Sequence, residues 1–259
     1  MDDKSVFELA KDPRFTPGIY NFCDRWCERC QLSQRCLVYA MEKEEMDQLA
    51  SYEIVDEAYW RKLLGTLDKI MAKLRRDFKK AGLDFADARV RNKAADAVKE
   101  RNQNHPLSRA AFDYSRIVKR WMSRAKRHFE PKIDELYQRL DLGLDEEAIT
   151  NDSDSIVDAI DVIIWYQHEI RAKLLRALAQ LELEIEDTQT AGQKNSDGSA
   201  KVALIGIDNS IQAWSVLRIQ LPDKADEILT FLARLERLRK DTENRFPEAR
   251  LFRRPGFDD

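Results

Sequence analysis

The stretch Tyr20–Tyr39 reads YNFCDRWCERCQLSQRCLVY and contains all four cysteines of the chain. Cys23, Cys27, Cys30 and Cys36 follow the spacing C-x3-C-x2-C-x5-C, so these soft ligands fall within one short length of backbone. Clustered cysteines of this kind are typical of a metal site. We therefore predict that this segment binds a metal and that the rest of the chain is arranged around it.

Disulfide bonds explain the cysteines less well than a metal does. The chain starts MDDKSVFELAKDP, which has no apolar signal-peptide core, and no stretch is long and apolar enough to cross a membrane. We therefore expect a cytoplasmic protein, in which glutathione and thioredoxin keep thiols reduced. Disulfides between such close neighbours would also close only very short loops, which adds little stability.

The spacing also bears on which metal is bound. Structural zinc usually has two pairs of ligands separated by a loop of about a dozen residues or more. This segment has one C-x2-C pair and no glycine. A compact run of thiolates is typical of an iron–sulfur cluster. We predict a 4Fe–4S cluster, and zinc stays open as the alternative.

The residues between the cysteines suit the surroundings of a cluster. Arg25, Arg29 and Arg35 can donate hydrogen bonds to sulfur or balance the negative charge of the cluster. Trp26 can keep water away from it. We predict that these side chains surround the metal.

Two spacings within the segment resemble those of known cluster-binding families. The last three ligands, C-x2-C-x5-C with Leu32 after the middle cysteine, resemble the cluster loop of helix-hairpin-helix DNA glycosylases, which has a longer first gap. The first three, C-x3-C-x2-C, have the spacing of radical S-adenosylmethionine enzymes. Those enzymes have an aromatic residue where Arg29 stands and keep open an iron position that Cys36 would close. Both resemblances are confined to this segment and imply a 4Fe–4S cluster.

The composition of the whole chain indicates a helical protein. Of 259 residues, 35% are charged, and the chain has only 8 glycines and 7 prolines, which suits helices joined by few tight turns. We predict an all-α, multi-helix bundle with an N-terminal four-cysteine metal-binding loop. The expected divisions are the metal-binding segment, the bundle and an extended C-terminal tail, at residues 1–40, 41–246 and 247–259.

Apolar residues recur at intervals of three and four in several stretches, which predicts about five longer helices. Pro131 is expected to kink or split the second of them. The third is apolar nearly all round in its first half, which favours a central position. The five stretches are residues 58–78, 107–140, 154–187, 200–219 and 223–245. A polar connection is predicted at residues 141–153.

Two charged residues fall on apolar faces of predicted helices. Projection at about 100° per residue places Arg171 on the apolar face of helix 154–187 and Asp208 on that of helix 200–219. A cation on a core face needs a partner. We therefore predict that Arg171 and Asp208 form a buried ion pair.

Residues 107–132 are strongly basic, with many more Lys and Arg than Asp and Glu. Such a strip suits the phosphates of a nucleic acid. Charge runs are more often a solvated face paired with acidic helices. Nucleic acid therefore stays an alternative partner. Its expected contacts are Arg116, Lys119, Arg120, Arg124 and Arg127.

Several catalytic signatures are missing from the sequence. It contains no G-x-S-x-G nucleophile motif, no glycine-rich phosphate loop and no Glu-x-x-His pair for a di-iron site. This favours a protein without a substrate site that serves electron transfer, redox sensing or assembly with a protein partner. The alternatives are a nucleic-acid-binding protein stabilised by iron–sulfur or zinc, and an interaction scaffold stapled by zinc.

Overall fold

The structure, a computed structural model, describes residues 12–49, 65, 96–186 and 192–258. All regular secondary structure in these ranges is helical, and no strand occurs in them. The predicted all-α class is therefore confirmed. The helix predicted at residues 58–78 lies outside the described residues, except for residue 65.

The longer helices are numbered here in chain order. They are α1 (Leu37–Leu49), α2 (Pro106–Met122), α3 (Ala125–Asp141), α4 (Glu146–Glu186), α5 (Asn195–Gln220) and α6 (Ala225–Arg245). Residues 96–104 are also helical. None of the helices in the described ranges is long and apolar enough to span a membrane. The helices predicted at 200–219 and 223–245 are confirmed as α5 and α6, although α5 begins at Asn195, before the predicted start.

The chain divides into two compact units. The described part of the first unit comprises residues 12–20, 25–49, 65, 96–100 and 255–258. The second unit comprises residues 21–24, 101–186 and 192–254. The second unit contains α2 to α6.

The centre of the second unit is the pair formed by α4 and α5. Ile163 and Leu174 of α4 and Leu204 of α5 are fully buried. A Cβ atom at Gly206 would lie 2.8 Å from the Tyr166 ring, so only glycine allows the two helices to approach so closely here. The close approach of α4 and α5 at Gly206 explains why the long helix α4 has the central position that its sequence predicts.

An aromatic cluster joins three helices of the second unit. The Trp121 and Trp214 rings lie 5.1 Å apart edge to face, and Phe231 stacks on Trp214 at 4.4 Å. The Trp214 indole N–H donates to the Tyr114 hydroxyl at 2.9 Å. Burial raises the pKa of Tyr114 to about 12. Because α2, α5 and α6 each contribute a ring, this cluster fixes their mutual packing.

The helix break expected near Pro131 occurs earlier, at residues 123–124, and this prediction was wrong in position. Pro131 lies inside α3. At the break, the Ser123 hydroxyl donates to the Arg120 carbonyl at 2.8 Å, and the Arg124 N–H donates to the Trp121 carbonyl at 3.0 Å. The turn lets Trp121 and Phe129 pack edge to face, with ring centroids 5.8 Å apart. Aromatic packing therefore decides where the helix ends.

The connection predicted at residues 141–153 is also shorter than expected, because α4 begins at Glu146. Asp145 explains the difference. Its Oδ1 accepts the backbone N–H groups of Glu147 at 3.0 Å and Ala148 at 3.2 Å. This is the hydrogen bonding of a helix N-cap.

The ion pair predicted between Arg171 and Asp208 is wrong. Asp208 pairs with Arg250, with 2.5 Å between Oδ2 and Nη1, and more distantly with Arg239 at 3.6 Å. The Arg171 guanidinium instead lies 4.7 Å from the centre of the Phe112 ring. Helical projection locates a residue on its own helix, but it does not show which neighbouring cation reaches it.

Candidate metal centre

The cysteine loop, defined here as residues 27–36, belongs to the first unit and is built from short 3₁₀ turns. Cys27 opens the first turn, and the Cys30 N–H closes it by donating to the Cys27 carbonyl at 3.2 Å. The Cys36 N–H ends the second turn at the Ser33 carbonyl, 3.1 Å away. The Cys36 carbonyl then accepts from Ala40 at 3.1 Å, so α1 follows directly. These three cysteines therefore lie at turn boundaries.

The four cysteine side chains are each partly exposed, at Cys23, Cys27, Cys30 and Cys36. Among the residues that the structure describes, no three side chains of His, Cys, Asp or Glu form a group that could hold a metal ion. The metal site therefore stays a prediction. As a donor set, four thiols within a few turns suit zinc or an iron–sulfur cluster.

The residues predicted to surround the metal make contacts with other residues of the first unit. The Arg29 guanidinium lies 4.1 Å from the centre of the Trp26 ring, a cation–π contact. Arg25 has a positive φ of 63° and is 3.8 Å from the Glu42 carboxylate in α1. The Arg35 carbonyl accepts the Thr16 N–H at 2.9 Å, which fixes its backbone while its side chain stays exposed.

The anchor segment, defined here as residues 21–24, belongs to the second unit and contains Cys23. The Phe22 ring is buried and lies 4.7 Å from the Phe252 ring. Both rings pack closely against Gly198. The Asn21 amide oxygen is 3.5 Å from the Arg176 guanidinium, at the limit of a hydrogen bond. Phe22 thus secures the backbone just before Cys23 to α5 and the C-terminal segment.

Asp24 secures the backbone just after Cys23. Its carboxylate accepts a 2.5 Å hydrogen bond from the Tyr166 hydroxyl, and its carbonyl accepts the Trp165 indole N–H at 3.1 Å. The Asn209 amide donates to the Tyr166 hydroxyl at 3.1 Å. Burial and the Asp24 carboxylate raise the pKa of Tyr166, so the phenol stays protonated and keeps donating.

Sequence reasoning missed these anchoring residues. Trp165 and Tyr166 carry no sequence signal beyond their place in an apolar run. Their partner Asp24 is more than one hundred residues away in the sequence. The only hint was the pair of adjacent aromatic residues with polar tips, which usually find hydrogen-bond partners when buried.

The residues predicted to contact nucleic acid lie in the second unit, away from the cysteines in sequence. Arg116 and Arg120 are exposed one turn apart on α2, and Arg116 is 3.2 Å from Asp113. Within the described ranges, the other predicted contacts are exposed and form no ion pair. These are Lys119, Arg120, Arg124 and Arg127.

A scan of protein-family models finds no match to this chain, and searches of curated proteins and of solved structures find none either. Function is therefore inferred from the residues and their geometry.

Proposed function

We propose that this chain is a metal-binding protein in which Cys23, Cys27, Cys30 and Cys36 hold a 4Fe–4S cluster. The observation that carries the proposal is the set of four partly exposed thiols, spaced C-x3-C-x2-C-x5-C within one short segment. Iron–sulfur clusters are bound by thiolates in compact runs of this kind, and such a cluster supplies reversible one-electron transfer when bound. The process served is electron transfer, redox sensing or assembly with a protein partner in the cytosol.

The contacts around Cys23, the first predicted ligand, support a helical bundle that holds the anchor segment in place. Cys23 lies between two anchored residues, Phe22 in an apolar contact and Asp24 in a hydrogen-bond network. Because this backbone is already ordered, less conformational entropy is lost when a metal binds. We infer that the second unit serves as a rigid support for the anchor segment.

Cationic and aromatic side chains between the cysteines would tune a bound cluster. Arg29 stacked on Trp26 is a cation held within the segment. Positive charge and hydrogen-bond donors near an anionic cluster stabilise its more reduced state, which raises its reduction potential. Arg25, Arg29 and Arg35 are the residues we assign to this role.

Metal analysis of the protein purified without oxygen tests the proposal. We expect a brown protein that absorbs near ~400 nm and contains iron and sulfide. The Cys30→Ser variant should lose the metal, whereas the control Gln34→Ala, at an exposed position of the same loop, should keep it. A colourless protein with stoichiometric zinc would support the zinc-stapled scaffold instead. Binding of neither metal would overturn both readings.

A nucleic-acid-binding function is the second candidate, because one surface favours it. Arg109, Arg116 and Arg120 are exposed on α2 at spacings of seven and four residues, which places them on one helix face. Arg124 and Arg127 continue the positive charge past the helix break. Side chains of this kind neutralise phosphates.

The salt dependence of binding tests this second candidate. If α2 contacts phosphates, the logarithm of the binding constant for a nucleic acid should fall linearly with the logarithm of salt concentration. Arg120→Glu should weaken binding, whereas Arg218→Glu, exposed on α5, makes the same charge change elsewhere and should have a smaller effect. Equal effects of the two variants would indicate attraction by net charge alone.

A further inference from the structure

A cleft in the second unit lies where α5 begins and the segment after α6 passes over it. Its volume is about 420 Å³, within the usual range for small-molecule pockets. Its lining includes the charged residues Lys194, Asp197 and Glu248 and the apolar residues Leu251 and Phe252. The cleft therefore combines an apolar surface with a few charged groups.

Hydrogen bonds hold the two sides of the cleft together. The Gln193 amide oxygen accepts the Arg253 N–H at 2.5 Å, and the amide nitrogen is 3.5 Å from the Arg253 carbonyl. The Lys201 ammonium donates to the Phe252 carbonyl at 2.6 Å. Phe252 is buried against Phe22. These contacts hold the segment after α6 against the start of α5.

Asp197 is the unusual residue of the cleft. Its side chain lies in the first turn of α5, is only 7% exposed, and makes no hydrogen bond to any residue that the structure describes. The nearby Glu184 carboxylate is engaged by the Ser196 N–H at 3.0 Å and the Ser196 hydroxyl at 2.5 Å. A largely buried carboxylate that accepts no hydrogen bond is costly even with the Lys194 ammonium nearby, and a bound hydrogen-bond donor can lower that cost.

The charged residues that line the cleft indicate whether it would accept a positively or a negatively charged ligand. Asp197 and Glu248 provide two carboxyl groups against the single ammonium of Lys194 among the described lining residues. An anion would meet the Asp197 carboxylate, whose residue is only 7% exposed. A metal ion is disfavoured as well, because no group of three suitable ligands occurs there in the described structure. A cation with an apolar body satisfies both the carboxyl groups and the apolar surface.

We propose that this cleft binds a small organic cation, an ammonium or guanidinium group on a short hydrocarbon chain, with the Asp197 carboxylate as its ionic partner. The hydrocarbon chain packs on Phe252 and Leu251, and Glu248 adds negative charge at the exposed side. This site uses none of the cysteines, so a test of cation binding does not depend on whether the metal proposal is correct.

Proton release provides a second expectation. Burial, with the Glu184 and Glu248 carboxylates, raises the pKa of Asp197 in the unliganded protein. A bound cation favours the ionised carboxylate and lowers that pKa again. Binding should therefore release protons, and affinity should increase as the pH rises through the titration range of Asp197.

Three probes of equal length test the proposal in the full chain. Pentylammonium, pentan-1-ol and pentanoate differ mainly in charge, and their binding is followed by amide chemical shifts of Gly192, Lys194 and Phe252 in NMR titrations. We expect saturable shifts with pentylammonium, weaker binding of the alcohol and none of the acid. Binding of pentanoate as tight as that of pentylammonium, or no saturable shift with pentylammonium, would overturn the proposal.

Two variants locate the ionic partner. Asp197→Asn keeps the shape of the side chain and should weaken pentylammonium binding about tenfold or more, as expected for the loss of a charge-assisted hydrogen bond. Its control is Asp226→Asn, which removes the same charge from the exposed first turn of α6. Unchanged binding by Asp197→Asn would contradict the assignment.

Lys194→Ala provides a check that does not depend on the folding of the Asp197 variant. Lys194 is the cation that competes with a ligand for the carboxylate, and its side chain is exposed. Removing it should tighten pentylammonium binding. Weaker binding would show that the cleft does not recognise a cation through its carboxyl groups.

Discussion

At the scale of single residues, Gly198 shows how tightly the anchor segment is packed. A Cβ atom at this position would lie 2.5 Å from the Phe22 ring and 2.6 Å from the Phe252 ring. Real Cβ atoms do not approach rings so closely, so a larger side chain must displace them. Both rings belong to a small buried cluster that also includes Val202.

We expect Gly198→Ala to destabilise the protein by about 1–3 kcal/mol, the usual cost of overpacking a core. Chemical denaturation followed by far-UV circular dichroism measures the change. The control is Gly65→Ala, since a Cβ atom at Gly65 has no neighbour within 4 Å and the position is helical. Alanine should be neutral or slightly stabilising there. A stability loss of equal size in both variants would contradict the packing explanation.

At the scale of elements, few buried side chains attach α3 to the other helices of the second unit. His128 and Phe129 are its only buried residues. The His128 ring is 7% exposed, stacks on Trp121 at 4.5 Å, and leaves both ring nitrogens without a hydrogen-bond partner in the described structure. The exposed end of α3 has one further link, 2.8 Å between Arg139 and Asp152. The protonation state of His128 should therefore influence how firmly α3 is docked.

Acid should weaken the docking of α3. Burial lowers the pKa of His128, helped by the positive charges of Lys224, Arg124 and Arg127 and opposed by Glu227. Because the unfolded chain takes up this proton at a higher pH than the folded one, stability falls as the pH drops below the ordinary histidine value of about 6.5. Above that value both states are neutral, and the contribution disappears.

We expect His128→Phe to lose less stability than the original protein between neutral and mildly acidic pH. Phenylalanine keeps the stacked ring but cannot be protonated. Urea denaturation at a series of pH values gives the comparison. The control is His168→Gln, at an exposed position of α4. If His128→Phe retains the full pH dependence, His128 is not its source.

The position of the break between α2 and α3 also depends on aromatic packing. Pro131 removes one backbone hydrogen bond from a helix, yet α3 continues through it. The chain bends instead at Ser123, where Trp121 on one side and Phe129 on the other both reach aromatic partners. Packing across the break outweighs the local preference of proline.

At the scale of the whole molecule, the helical core of the second unit and the cysteine loop of the first unit differ in how much apolar surface they bury. The core of α2, α4, α5 and α6 is apolar and aromatic, and none of these helices contains a cysteine. The cysteine loop of the first unit is built from short turns. Short turns bury little apolar surface, so a bound metal should supply much of the stability of that loop.

We expect a chelator that removes the proposed metal to unfold the cysteine loop while most of the helical signal persists. Binding of zinc to comparable small sites contributes about 10–16 kcal/mol, which a loop of turns cannot replace. Far-UV circular dichroism should change little at moderate temperature, whereas hydrogen exchange at residues 27–36 should accelerate. A chelator that melts the whole helical signal would show that α2 to α6 depend on the metal. Protein without a chelator, treated identically, is the control.

The sequence alone determined the all-α class, the positions of α5 and α6 and the clustering of the thiols. These features depend on local information, since helical periodicity and cysteine spacing are properties of neighbouring residues. Local patterns could not predict that the helix breaks at Ser123 rather than at Pro131, because the position of the break depends on aromatic rings from other helices.

Only the tertiary structure decided which residues meet across the chain. Asp208 takes Arg250 rather than Arg171, Tyr166 anchors Asp24, and Asp197 lines a cleft beside Phe252. Each of these contacts joins segments that are far apart in sequence. Such contacts depend on how whole helices are rotated and placed against each other. A helical pattern gives the face on which a residue lies, whereas the packing of every neighbouring element decides what that face meets.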